Sequence, residues 1–191
     1  LSYNHPLFGV GRLDEENPRA VLQRLGSTRE ARAAKAPTER EKGFLEAVEE
    51  GRTSAPEAAR FRGHTASDLL VILGGILGGE IHREEGRTTE AIASFERALV
   101  IEDGLRYDEP EPLNFSVRDW LGAILLEADR PAEAEAVYRA AIDDHPFNGW
   151  SLFGLEQALR AQGKVGEAEE TAKILKTSWA RADIWIRASR F

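Results

Sequence analysis

Apolar positions recur along this chain with the period of an α-helix. From about residue 69 onward, apolar and small side chains lie three and four positions apart in runs of a dozen or so residues, and turn-forming residues separate the runs. Two runs carry the same stripe of small, aromatic and small side chains with the spacing 0, 4, 7: Ala91, Phe95 and Ala98, then Ala134, Tyr138 and Ala141. This spacing places each stripe on one face of a helix.

The pattern predicts an all-α fold. No segment shows the strict alternation of a half-buried strand, so we expect no β-sheet. Gly86 and Gly163 lie where a turn between two helices belongs, and Pro131 lies early in a helix, where its missing N–H costs nothing. The predicted antiparallel pairs are 69–85 with 89–101, 116–127 with 131–144, and 149–162 with 165–180.

A repeat of 34 residues organises these pairs. A third, weaker stripe is formed by Ala168, Ala172 and Leu175. It begins 34 residues after Ala134, whereas the first two stripes are offset by 43. The nine additional residues fall within 103–114. Gly79 and Gly122 each precede the first alanine of their stripe by twelve residues. A small residue there lets two helices approach, and the aromatic residue one turn further on fills the space they leave.

These features resemble the tetratricopeptide repeat (TPR) over about residues 68–182. The resemblance implies a right-handed α-solenoid of antiparallel helix pairs, with additional N-terminal helices and a C-terminal capping helix. The third repeat departs from the family pattern, because Glu156 stands where the family prefers a small residue and Ala172 where it prefers an aromatic one. The resemblance also implies a non-catalytic scaffold that binds a protein or peptide partner, or a second copy of itself, through a concave groove.

Charge suggests a division of the chain near residue 67. Residues 1–66 carry a balance of +1 and residues 67–191 a balance of −9, which gives the net charge of −8. We therefore predict an N-terminal helical segment, 1–66, followed by TPR-like repeats over 67–191. The net negative charge argues against a nucleic-acid partner.

A second resemblance is to a group of larger microbial TPR proteins of unassigned function. The similar runs are Ser2–Phe8, Leu105–Pro110 and Asn148–Leu155, and the larger proteins have several more repeats between the first two. This implies that a middle part is missing here, with the join near residues 50–66. The chain contains no Met, which leaves two explanations open: a chain from which residues have been removed or omitted, or a Met-poor composition.

Candidate chemistry is sparse. The absence of Cys excludes thiolate metal sites and Cys nucleophiles. No two histidines have the spacing of a helical metal site, and we expect His145 to act at a helix C-terminus and His82 to pack. We expect no catalytic residue and no cofactor. The alternative is a part of an enzyme or metal-binding protein whose pocket includes His5 and lies partly outside this chain.

The predicted groove lies on the first helix of each repeat. We expect its side chains to be exposed and to offer aromatic and aliphatic surface to an extended or helical apolar segment. Alternatively, Trp150 and Phe153 pack against neighbouring helices. The loop 103–114 is a second candidate for partner binding, and its alternative role is that of a spacer between repeats. The candidate groove residues are Ile76, Glu80, Arg83, Asp119, Ala123, Trp150, Phe153 and Gln157.

No membrane span is expected. The most apolar stretch, Leu69–Gly79, has eleven residues, and a spanning helix needs about 20. The pattern does not decide between a cytoplasmic and an exported protein.

Overall fold

A computed structural model describes Val48, Arg60–Phe61, residues 63–182 and residues 186–190 of the chain. It contains two compact units, one that ends at Asn114 and one that begins at Phe115. The helices predicted before residue 60 lie outside the described residues, except that Val48 is helical and buried. The boundary near residue 67 stays a prediction.

The first unit contains a short hairpin followed by two helices. Strands β1 (Arg60–Phe61) and β2 (His64–Thr65) pair antiparallel around a turn in which Gly63 has a φ of +93°. Strands of two residues are too short to show an alternating pattern, so nothing in the sequence marks this hairpin. The helices are α1 (Ala66–Glu84) and α2 (Thr88–Asp103).

Small residues bring α1 and α2 into close contact. A methyl group added at Gly79 would lie 2.4 Å from Cε1 of Phe95, and one added at Gly75 would lie 2.6 Å from Cβ of Ala98. Phe95 is fully buried. Between the helices Gly86 has a φ of +74°, a conformation that glycine adopts without steric cost.

The second unit contains four helices in two consecutive pairs: α3 (Val117–Glu127), α4 (Pro131–Asp144), α5 (Gly149–Ala161) and α6 (Val165–Ser178). Each packs against the next, and α3 also contacts α5. Two N-caps fix the starts of these helices. The Ser116 hydroxyl accepts a hydrogen bond from N–H of Arg118, and the Asn148 side chain accepts from N–H of Trp150 and Ser151.

The all-α prediction is confirmed for the described residues, apart from the hairpin. All six predicted helices are present, with ends within three residues of the predicted ones. The right-handed solenoid stays a prediction. None of the described helices combines the length and the hydropathy that a membrane span requires.

Candidate functional site

The aromatic ring of Tyr138 lies between two helices of the second unit. Tyr138 belongs to α4, and methyl groups added at Gly122 of α3 and at Gly154 of α5 would lie 2.3 Å and 2.2 Å from its Cζ. Only glycine leaves room for the ring tip on both sides. The hydroxyl beyond Cζ therefore reaches the side of α3 and α5 that faces away from α4. We call this side the inner face of the second unit.

A short segment of the chain lies against the Tyr138 hydroxyl. Ser189, in the irregular segment Ile186–Arg190, forms a hydrogen bond with this hydroxyl through its Oγ and is only 4% exposed. Arg190 Nη2 lies 3.9 Å from Oε1 of Glu127, at the end of α3. We call residues 186–190 the docked segment.

Asp119 of α3 is a fully buried carboxylate that faces α5. Its Oδ1 accepts a hydrogen bond of 2.8 Å from the Ser151 hydroxyl, which joins α3 to α5. Its Oδ2 has no hydrogen-bond partner among the described residues. Burial raises the pKa of Asp119 to about 6, against the weaker lowering effects of Ser151 and His145.

The negative charges of Asp119 and Glu127 also act on the Tyr138 hydroxyl. Burial is the main cause that raises the pKa of Tyr138 above its ordinary value, and these two carboxylates raise it further. The phenol therefore stays neutral and can either donate or accept a hydrogen bond.

The aromatic residues Trp150 and Phe153 of α5 are only partly buried. The Trp150 ring meets the Trp179 ring edge-on at 5.1 Å, and Trp179 also covers Gly149. Trp150 and Phe153 are nonetheless partly exposed, and Gln157 is exposed. Their spacing of three and four residues places these three side chains on one stripe of α5.

The expected exposure of the groove residues is wrong for three of them. Ile76, Asp119 and Ala123 are buried. The helix α1 is apolar on more than one face and buries Leu69, Leu70, Ile72 and Leu73 as well as Ile76. Asp119 is enclosed because it hydrogen-bonds across to α5.

In the first unit, the two polar groove residues interact with each other. Arg83 Nε lies 3.4 Å from Oε1 of Glu80, and Arg83 also pairs with Glu84. Both groove residues are partly exposed. Their role in binding stays a prediction.

The loop after α2 is fastened to the hairpin. Arg106 Nη2 donates a hydrogen bond of 3.2 Å to the carbonyl oxygen of Gly63, and His64 Nε2 lies 3.8 Å from Oδ2 of Asp108. Tyr107 of this loop is 86% exposed. Whether the loop binds a partner or serves as a spacer stays open.

A network of charged residues joins α4 to the turn before α6. Glu135 accepts hydrogen bonds from Lys164 Nζ at 2.6 Å, from Gln162 Nε2 at 2.7 Å and from Arg139 Nε at 2.8 Å. The Lys164 hydrogen bond is the largest cause that lowers the pKa of Glu135, to about 2. Because every donor belongs to the second unit's own helices and turns, the network holds the repeats together.

The histidines carry no visible metal chemistry in the part of the chain that the structure describes. His145 is the C-cap residue of α4, which agrees with the helix-end position predicted for it, and His82 is half-buried near the end of α1. Residues 63–182 and the shorter described stretches hold no group of three or more potential ligands. His5 lies outside the described residues.

Comparison with known families supports the repeat assignment. Residues 79–109 match the family model of the tetratricopeptide repeat, which spans the end of α1, all of α2 and the start of the following loop. The predicted resemblance to the tetratricopeptide repeat is therefore confirmed over these residues. Comparisons with curated proteins and with solved structures give no significant match. The repeat indicates a scaffold for protein interactions.

Three features of the second unit were not predicted from the sequence. The contact of Gly154 with Tyr138, the pair of Asp119 with Ser151 and the docking of Ser189 each join distant residues. For Gly154 a signal exists, since it is a small residue in the first helix of the third repeat, close to where the family prefers one. Nothing in the local pattern marks the other two contacts.

Proposed function

We propose that the protein is a non-catalytic scaffold whose second unit binds an extended segment of a protein partner on its inner face. The observation that carries this proposal is the stripe of Trp150, Phe153 and Gln157 on α5, in a chain that matches the tetratricopeptide repeat over residues 79–109. Two aromatic side chains that stay partly in water supply apolar contact area, and the amide of Gln157 supplies hydrogen bonds.

Polar groups at the inner face suit a peptide rather than a purely apolar ligand. Gln157 is exposed and its amide both donates and accepts hydrogen bonds, and Trp150 and Phe153 on the same stripe are partly exposed. A peptide brings backbone N–H groups and polar side chains, which can form hydrogen bonds with this amide. The proposed partner is therefore an extended segment with both apolar and donor groups.

Selection from a library of displayed peptides tests the proposal. Peptides selected by the full chain should bind it in fluorescence anisotropy, and the Phe153→Ala, Gln157→Ala double variant should weaken that binding by about tenfold, since aromatic contacts at an interface are often worth more than 1 kcal/mol. Both positions are at least partly exposed, so the variant should remain folded by circular dichroism.

The matched control is Ile174→Ala. Ile174 is an apolar residue of α6 that is 44% exposed, and it lies outside the proposed stripe. This control should bind the selected peptides as the unaltered chain does. Equal loss in both variants, or no loss in either, would refute the assignment of the inner face. A peptide selected from the protein's own sequence would identify a second copy as the partner.

Glu80 and Arg83 of the first unit are partly exposed and stay candidates for a separate binding surface on that unit, whereas Ile76 is buried. The alternative function, an enzyme or metal-binding protein with His5 in its pocket, stays a prediction because His5 lies outside the described residues.

A further inference from the structure

We propose that the docked segment, Ile186–Arg190, is a built-in occupant of the inner face, and that it competes there with partner segments in which a small hydroxyl residue is followed by a cationic residue. This inference rests on the proposed function, because it assigns the ligand class and the regulation of the same face.

The first support is the way in which the docked segment binds. Ser189 is buried, whereas Arg187 and Ala188 just before it are exposed. The segment has no helical or strand structure. It therefore contacts the unit as an irregular segment that inserts one short side chain, and its hydrogen bond is to the Tyr138 hydroxyl rather than to its own neighbours in sequence.

The second support is the chemistry around that hydroxyl. Asp119 and Glu127 both act electrostatically on Tyr138, so the surroundings of the hydroxyl are negative. The residue that follows the buried serine is Arg190, with its guanidinium near Glu127. A neutral hydroxyl followed by a cation fits this field, whereas an anion at the serine position is repelled.

Tethering makes the docked segment an effective competitor even when its intrinsic affinity is low. A segment joined by a short linker has an effective concentration on the order of millimolar at its own site. If the same sequence binds as a free peptide with a Kd on the order of 0.1 mM, occupancy by the tethered copy weakens partner binding by about tenfold. Removal of the docked segment from the inner face should therefore make partner binding about tenfold tighter.

The test uses a fluorescein-labelled peptide with the sequence of residues 186–190, capped at both ends, and the full chain. In the release variant, Ser189→Asp, a carboxylate replaces the buried hydroxyl that bonds to Tyr138, on which the charges of Asp119 and Glu127 also act. Fluorescence anisotropy should show that this variant binds the peptide about tenfold more tightly than the unaltered chain does.

Two control variants separate competition from nonspecific charge effects. Arg187→Glu changes an exposed residue of the same segment and should leave the affinity for the peptide unchanged. Tyr138→Phe, placed in the release variant, removes the hydroxyl that receives the serine and should weaken binding by about fivefold. A peptide with Asp in place of its Ser should not bind.

The outcomes distinguish this inference from the function on which it rests. Equal peptide affinity for the unaltered chain and the release variant overturns the competition. No binding of the peptide to either protein, while displayed peptides still depend on Phe153 and Gln157, overturns the inference and leaves the proposed function standing. If displayed peptides also fail to depend on those residues, both proposals fail.

Discussion

At the scale of single residues, the position of Tyr138 depends on what its neighbours lack. Gly122 and Gly154 flank the ring tip at distances that no Cβ atom tolerates. A side chain at either position would push the ring out of the gap or force α3 and α5 apart. The Tyr138 hydroxyl therefore reaches the inner face only because residues 122 and 154 are glycines, which have no Cβ atom.

Gly154→Ala should destabilise the protein by about 1–3 kcal/mol, because the added methyl group overpacks a filled contact. Gly122→Leu should cost at least as much. The matched control is Gly166→Ala in α6, where an added Cβ meets no described atom within 4 Å. This control should be neutral or slightly stabilising, because alanine favours a helix. Urea unfolding measures all three. An equal cost at Gly154 and Gly166 would contradict the packing described for Tyr138.

Asp119 should make the stability of the protein depend on pH. Burial raises its pKa from an ordinary 3.8 to about 6, so the folded state holds the proton more tightly than the unfolded state does. Below about pH 4 Asp119 is protonated in both the folded and the unfolded state, so it does not lower the free energy of unfolding. As the pH rises through about 6, ionisation inside the fold costs stability, on the order of 1–3 kcal/mol when complete.

Asp119→Asn removes this titration and keeps a side chain of the same shape. Its free energy of unfolding relative to the unaltered chain should therefore rise between pH 4 and pH 8, by about 1–3 kcal/mol. Parallel urea titrations of both proteins across this range measure the difference, in which the titration of all other groups cancels. A difference that does not change with pH would show that Asp119 is solvated in solution.

At the scale of the helices, Glu135 connects α4 to the turn that precedes α6. Glu135→Gln should lower the free energy of unfolding by about 1 kcal/mol at pH 7, because a neutral amide interacts more weakly with Lys164 and Arg139, and solvent screens part of the loss. The lowered pKa of Glu135, about 2 against an ordinary 4.5, means that its contribution is complete above pH 4.5 and is lost as the pH falls towards 2.

Glu169→Gln provides the control for this prediction. Glu169 is an exposed carboxylate of α6, so its loss should change the stability by less than about 0.5 kcal/mol. The difference in stability between the two variants should be largest at pH 7 and clearly smaller at pH 3, where part of the Glu135 contribution has been lost. A Glu135 variant as stable as the control at pH 7 would mean that the network is only a surface contact.

The helices could be predicted closely because their signals are local. The segment Pro131–Asp144 was predicted to the residue, since a proline opens it and its stripe of small and aromatic residues is continuous. The inner face could be predicted only in part. The periodicity identified the helices that line it, but the burial of Asp119 depends on Ser151, which lies 32 residues further along the chain.

At the scale of the whole molecule, the described residues form two compact units, and one short segment docks on the second unit. The second unit combines two helix pairs, a glycine-lined gap for Tyr138 and an irregular segment from beyond its last helix. The contact between Tyr138 and Ser189 joins residues 51 positions apart in the chain, and the occupation of the inner face by the docked segment depends on it. A direct measurement of that contact in solution therefore tests the account at its centre.

A double-mutant cycle of Tyr138→Phe and Ser189→Ala, measured by urea unfolding at pH 7, provides this measurement. If the two hydroxyls meet, the cost of the double variant should be smaller than the sum of the two single costs, with a coupling energy of about 1 kcal/mol. The control cycle pairs Tyr138→Phe with Ser178→Ala, whose hydroxyl bonds to the Ile174 carbonyl of its own helix, and should show no coupling. Costs that add within about 0.3 kcal/mol in the Tyr138–Ser189 cycle would contradict the docking of the segment on the inner face.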